Sequence, residues 1–286
     1  SIHTYRHQLS RFSNYLSKSA IDHVVDIRVE HILLYIMELP SEHKSNTYIA
    51  ISIVKRFLRW LYDRKTLALN LSIQIPSGRY VQQSSLPAIY TQDEVELTLK
   101  NGVDRGYSTG KRDFLILLLA ARLGLRASDI CNLKFENIQW DKNSIVIEQV
   151  KTERILELPL LAEVGNAIID YLQYGRPKSE EAYIILTATA PFRKMIPSSI
   201  SGITTSAFKR AGVNIAKKKH GPHALRHSLV ARMLEGQTIL PVISEVLGHE
   251  NTNSTMYYMR IDLSSLNACV LDVVSVKGGF YGQFKW

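Results

Sequence analysis

The residues best suited to chemistry in this chain lie in its last third. His223-Ala224-Leu225-Arg226-His227 sets two imidazoles and a guanidinium within five positions; Leu247-Gly248-His249 follows, and Tyr258 stands nine residues after His249. A guanidinium grips phosphate oxygens as a planar fork. A phenol with an unperturbed pKa of about 10 is a poor nucleophile until a base or a cationic neighbourhood helps remove its proton. Cations and titratable groups gathered near a tyrosine therefore point to attack on a phosphate ester. Gly221-Pro222 opens the segment as a helix start, because proline is tolerated where its missing N–H would have no partner, and a helix N-terminus itself attracts anions. On that helix His223, Arg226 and His227 fall at i, i+3 and i+4, on neighbouring parts of one face. Two histidines at i and i+4 are also a zinc-protease spacing, but that motif needs Glu after the first His, and Ala224 occupies the place.

Two cations earlier in the chain could join this group. Arg126 follows Gly124, a glycine placed to end an apolar helix with positive φ. Lys151 sits at the turn between two β-branched segments, Ser144 to Val150 and Arg154 to Leu158, which read as a hairpin. Each group also has a plain structural reading. Arg126 can form a local ion pair with Asp129, Lys151 can be a solvated turn residue, His249 can bond a free helix carbonyl, and Tyr258 can be a core aromatic. Four such coincidences in this order are harder to accept than one site.

The elements that must position these groups divide near residues 76–90, where Pro76 to Pro87 loses helical periodicity and has a linker composition. Before it, apolar residues recur at helical spacing in Tyr5 to Leu16, Val29 to Leu39 and Tyr48 to Leu61, so residues 1–75 are expected to form a small helical bundle. Its third helix carries Lys44, Lys55, Arg56 and Arg59 around an apolar stripe, a face that can lie on a nucleic-acid backbone or simply on solvent. Residues 91–286 open with Thr91-Gln92-Asp93-Glu94, a capping-box pattern, before a helix to about Lys100 and an apolar one from Arg112 to Leu123. A third strand is expected at Ala182 to Leu186, and helices from Ser198 onward. The fold class is mainly α with a small antiparallel sheet.

Composition narrows the partners. The chain has 286 residues, 45% of them hydrophobic and 21% charged, as in ordinary globular proteins. Its longest apolar run, Phe114 to Ala121, is too short to span a bilayer, and the first residues show no signal peptide. Cys131 and Cys269 have no metal-ligand spacing and read as buried thiols in a reducing compartment. The net charge is +9, and from Ala182 to Leu234 there are nine Lys or Arg and no Asp or Glu. That one-signed stretch, which includes Lys217, Lys218 and Lys219, would attract a polyanion.

Taken in order, Gly124-Leu125-Arg126, Val150-Lys151, His223-Ala224-Leu225-Arg226-His227, Leu247-Gly248-His249 and Tyr258 resemble the tyrosine recombinase, or phage integrase, family over nearly the whole chain. The resemblance implies a helical core-binding domain (1–75, SAM-like), the linker 76–90 and a catalytic domain (91–286), closing on DNA as a clamp. It implies site-specific recombination without metal or other cofactor, through a 3′-phosphotyrosine on Tyr258 and a Holliday junction, in integration, excision or resolution of DNA elements. Arg126 and Arg226 would hold the phosphate, His223 would assist proton transfer with Tyr258, Lys151 would protonate the leaving 5′-oxygen, and His249 would bond the phosphate. Implied partners are double-stranded DNA with paired half-sites, a homotetramer coupled through a tail at about 263–286, and accessory proteins, in the cytoplasm at the nucleoid. The compact architecture is more similar to Xer or transposon resolvase types than to large phage integrases. Other functions compatible with these residues are topoisomerase-like relaxation of DNA, DNA binding without catalysis, and a metal-dependent nuclease. Lys151 lacks the glycine-flanked turn usual in Xer-like members, and Tyr257 adjoins Tyr258, which the family spacing singles out.

Overall fold

The computed structural model describes residues 2–40, 44–76, 88–216 and 218–249. The chain clusters into two compact units, Ser1–Ser85 and Leu86–Trp286.

The first unit is built on helices α1 (Ile2–Lys18), α2 (Val29–Glu38) and α3 (Lys44–Asp63). Each presents an apolar stripe at helical spacing, and the stripes meet in one core: Phe12 and Leu16 of α1, Ile32 and Tyr35 of α2, Ala50, Val54, Leu58 and Leu61 of α3. Phe12 meets Tyr35 edge-on at 4.9 Å between ring centroids, which fixes α1 against α2. Lys55, Arg56 and Arg59 of α3 lie outside this core, and each has a partner. Lys55 donates to the Ile75 carbonyl at 3.1 Å, Arg56 bonds the Tyr5 hydroxyl, and Arg59 lies 4.0 Å from Asp63. The side chain of Lys44 lies outside the described atoms.

In the second unit α4 (Gln92–Asn101) begins with the expected capping box: Thr91 Oγ1 accepts from the Glu94 N–H and Glu94 returns a bond to the Thr91 N–H. Then comes α5 (Ser108–Arg122), four residues longer at its start than periodicity indicates; within that added turn Gly110 packs its backbone against Asp104 where a larger residue would collide. From Leu115 to Ala120 every residue of α5 is fully buried, so the helix is walled on all sides and serves as the axis of the unit. Around it follow α6 (Ala127–Cys131), strands β1 (Ile138–Gln139), β2 (Ser144–Glu148) and β3 (Ile155–Pro159), and helices α7 (Ala162–Tyr174), α8 (Pro197–Arg210), α9 (Pro222–Glu235) and α10 (Leu240–Leu247).

The sheet is antiparallel in the order β1-β2-β3, with Ile145 opposite Leu158 and Ile147 opposite Leu156. Those four side chains line the buried face while Glu148, Ile155 and Glu157 face out, the two-residue alternation of a half-buried sheet. The expected strand at Ala182 to Leu186 is not in this sheet; its place as third strand is taken by Ile138–Gln139. Residues 182–186 form only isolated bridges, Lys134 with Tyr183 and Leu186 with Lys194. The reason is local. Ile184, Ile185 and Leu186 are all buried, which no alternating strand permits, and the Arg176 guanidinium bonds the carbonyls of Glu181, Tyr183 and Ile184. Cys131 is a buried thiol whose pKa burial pushes up to about 11; Cys269 lies outside the described residues.

Candidate active site

Two left-handed glycines shape the floor of the site. Gly124 (φ +62°) follows the C-terminus of α5 and turns the chain so that Arg126 becomes the residue that opens α6. Gly248 (φ +59°) caps α10 and delivers His249 to the same floor. In both places glycine avoids the Cβ penalty of the left-handed region.

Arg226 locks the two corners together. It projects from α9, is only 2% exposed, and donates one Nη1 bond to the Gly124 carbonyl (2.5 Å) and one Nη2 bond to the Leu247 carbonyl (2.7 Å). The same Nη2 lies 3.2 Å from His249 Nε2. Arginine carries no acceptor, so this contact requires Nε2 to be the unprotonated ring nitrogen and leaves the proton of the neutral ring on Nδ1.

Arg126 reaches the floor from the other side. Its Nη1 donates to Gln149 Oε1 at 2.9 Å and lies 3.9 Å from Asp129 Oδ2, so the local ion pair expected from sequence is present but is the longer of the two contacts. Asp129 is buried and its other oxygen accepts from the Val150 N–H at 3.2 Å. A carboxylate on α6 thereby holds the start of the hairpin turn. That turn, Val150 to Glu153, carries Lys151 at an exposed position. It is closed by bonds from the Gln149 N–H to the Arg154 carbonyl and from the Glu153 N–H to the Gln149 carbonyl.

The three histidines near the site are all shifted in one direction, downward. His249 is driven down to about 4, first by burial and then by the charges of Arg226, Arg126 and Lys151. His223 is lowered by the same causes in the same order, although the residue keeps a solvent-exposed edge. His227 also falls to about 4, through burial, His223, Arg226 and Lys219, and its ring stacks with that of His223 at 5.9 Å. Both imidazoles named in the resemblance thus feel Arg126, Lys151 and Arg226 together. The structure brings Arg126, Lys151, His223, Arg226 and His249 to one place. Tyr258, with Tyr257 and the tail at 263–286, lies outside the described residues.

Of the basic residues near α9, Lys218 pairs with Glu94 (3.3 Å) and sits over the Tyr90 ring (4.8 Å), Lys219 faces His227 electrostatically, and Lys217 is outside the described residues. Sequence reasoning passed over Gln149 and Arg154. Gln149 continues the inward series Ile145, Ile147 at two-residue steps and is fully buried, so strand periodicity alone marks it as a polar side chain aimed inward. Arg154, on the far side of the turn, donates to the His249 carbonyl at 2.8 Å; nothing in its sequence position signals that contact.

The chain has relatives among known proteins. Residues 89–264 match the phage integrase family and residues 1–65 match the phage integrase N-terminal SAM-like domain. The chain is 34% identical over 224 residues to a protein of Sinorhizobium fredii with the provisional name integrase/recombinase y4rA, a match covering 78% of this chain and 54% of that one. It spans little more than half of that relative's length. Tyrosine recombinase XerD of Staphylococcus aureus is 28% identical over 272 residues, covering 93% of this chain and 89% of that protein. Among solved structures, the XerH site-specific recombinase bound to palindromic difH substrate, a post-cleavage complex, superposes with a TM-score of 0.71. The identity is 20%, and the alignment covers 94% of this chain and 78% of that one. With both of its units matched by the two domains of one family, this chain belongs to the phage integrase family, the tyrosine recombinases.

Proposed function

We propose that the chain is a site-specific DNA recombinase that cuts and rejoins strands through a 3′-phosphotyrosine on Tyr258. The observation that carries this reading is geometric: Arg226 bonds the Gly124 and Leu247 carbonyls and lies 3.2 Å from His249, with Arg126 held beside them through Gln149, while His223 and His249 are lowered first by burial and then by the charges of Arg226, Arg126 and Lys151. Attack by the phenolate on phosphorus concentrates charge on the two non-bridging oxygens, and preorganised guanidinium donors stabilise that charge without reorganising. The Tyr258 oxygen forms the P–O bond, the 5′-oxygen leaves with a proton from Lys151, and His223 takes part in moving the phenol proton. The ester energy is kept in the protein–DNA bond, so a 5′-hydroxyl from another strand reverses the step with no external energy source.

The recombining unit is a tetramer on paired half-sites, its protomers coupled by the 263–286 tail, and it acts at the nucleoid with the help of accessory proteins where an element requires them. No helix among the described residues is long and apolar enough to cross a membrane. The basic residues Lys44, Lys55, Arg56, Arg59, Lys217, Lys218 and Lys219 contribute backbone contacts to DNA by the same reading. The test is to incubate the chain with a library of duplexes in a chelator, trap covalent adducts and map the attached nucleotide. Adducts through a 3′-phosphate in the presence of chelator are expected, followed by exchange between two sites on one plasmid. Supercoil relaxation without exchange would replace recombination by topoisomerase action, and loss of all cleavage in chelator would replace it by a metal-dependent nuclease.

A further inference from the structure

The geometry points to Gln149 as a positioning residue that holds the Lys151 turn in register with Arg126 and the Leu247–His249 corner, an inference that rests on the recombinase reading above. Its carboxamide is fully buried and makes three bonds in three directions. Oε1 accepts from Arg126 Nη1 (2.9 Å) and from Thr152 Oγ1 (2.8 Å), while Nε2 donates to the Leu247 carbonyl (3.1 Å). The first bond reaches α6, the second crosses the turn beside Lys151, and the third ends on the carbonyl that Arg226 also holds. Gly248 is bare on the side facing Gln149: a Cβ there would run into Oε1, Cδ and Nε2 of this carboxamide.

A small, planar, uncharged group with both an acceptor and a donor is what this junction requires. A carboxylate would oppose the Leu247 carbonyl and neutralise Arg126, and a hydrocarbon would strand a buried acceptor. Besides the main-chain bonds that close the turn and the Val150 N–H bond to Asp129, the Gln149 carboxamide is what ties it to both Arg126 and the Leu247 carbonyl. Lys151 itself is exposed, and Glu153 adopts φ +54°, a conformation that favours glycine. A lysine on such a turn donates a proton to the leaving oxygen only if the turn is held, since misplacing a catalytic group by about 1 Å can cost about 100-fold in rate.

The test uses the duplex on which the wild-type chain forms its adduct, made once with an ordinary scissile phosphate and once with a 5′-bridging sulfur, whose thiolate leaves without a proton donor. For Gln149→Ala, DNA binding within about 3-fold of wild type and adduct formation slowed by about 30-fold on the ordinary duplex are expected. On the sulfur duplex the deficit should shrink to about 3-fold, because proton donation no longer matters there. Thr152→Val removes only the bond to the turn and should show the same leaving-group rescue on a smaller deficit, even where Gln149→Ala folds poorly. Full activity of Gln149→Ala on the ordinary duplex overturns the proposal. So does a deficit equal on both duplexes in both variants, which would put the residue's effect on the phosphate clamp or the fold. Absence of any adduct with the wild-type chain on either duplex sinks the recombinase reading instead.

Discussion

Arg226 donates to the carbonyl of Gly124, and Gly124 is the residue that turns the chain toward Arg126. One arginine of the site therefore holds the corner from which the other begins. Because Arg226 is 2% exposed, removing it takes the side-chain donor from the buried Gly124 carbonyl, whereas Leu247 keeps its bond from Gln149 and Arg126 shares its acceptor with Thr152.

The two arginines should separate in stability and not in catalysis. Arg226→Ala is expected to lose about 2–4 kcal/mol in urea unfolding, the range for stranding partners of a buried charge, and Arg126→Ala about 1 kcal/mol. Both should lower adduct formation at least about 100-fold. Equal stability losses would show that Arg226 has no structural share.

Tyr258→Phe is expected to abolish covalent attachment to DNA while leaving binding within about 2-fold, since only the nucleophilic oxygen is lost. Tyr257→Phe should still form the adduct. Gel separation of covalent complexes under denaturing conditions reads both, and the reverse pattern would reassign the nucleophile.

Stability of the DNA-free protein should fall as pH drops from about 6.5 toward 4. His227 and His249 are held down to about 4 in the folded chain, while the unfolded chain titrates near about 6.5. In that window the unfolded state binds more protons, so the stabilisation is complete above about 6.5 and is lost as pH falls through the folded values, on the order of 1–3 kcal/mol for each ring. Urea midpoints at pH 7.5 and 5.0 measure it; coincident midpoints would remove the effect. A DNA phosphate reverses the electrostatics around His249, so binding near pH 5.5 should take up protons, seen as buffer-dependent heats of binding.

Gly248→Ala should be worse than Gly124→Ala, although both glycines are left-handed. Each loses about 1–2 kcal/mol to backbone conformation. At Gly124 the added methyl meets the tips of Leu229 and Leu247, at 3.0 and 3.3 Å, which can shift; at Gly248 it meets the Gln149 carboxamide, fixed by three bonds. A further loss of about 1–2 kcal/mol is expected at Gly248, partly relieved in the double variant Gly248→Ala, Gln149→Ala. Additive losses in that double variant would rule out the steric coupling.

Residue types, spacing and turn chemistry are local properties, and they carried most of what could be read from the chain. Thr91 and Glu94 announce a capping box, Gly124 and Gly248 announce left-handed helix ends, and the alternation of Ile145 and Ile147 announces a half-buried strand, because each obeys constraints within a few residues. The order Arg126, Lys151, His223, Arg226, His249, Tyr258 likewise named a chemistry before any coordinate did. The strand expected at residues 182–186 failed for a local reason that alternation does not show: Arg176, six residues before it, bonds the Tyr183 and Ile184 carbonyls, and Ile184, Ile185 and Leu186 are all buried. Gln149 was unremarkable until it met Arg126, 23 residues before it, and Leu247, 98 residues after it. Bonds of that span depend on how helices pack, and no local pattern records them. Sequence alone determined which residue types stand at which spacing, because those are local; only the tertiary structure decided which buried polar atoms hold Arg126, Arg226 and His249 together, because those contacts join residues far apart in the chain.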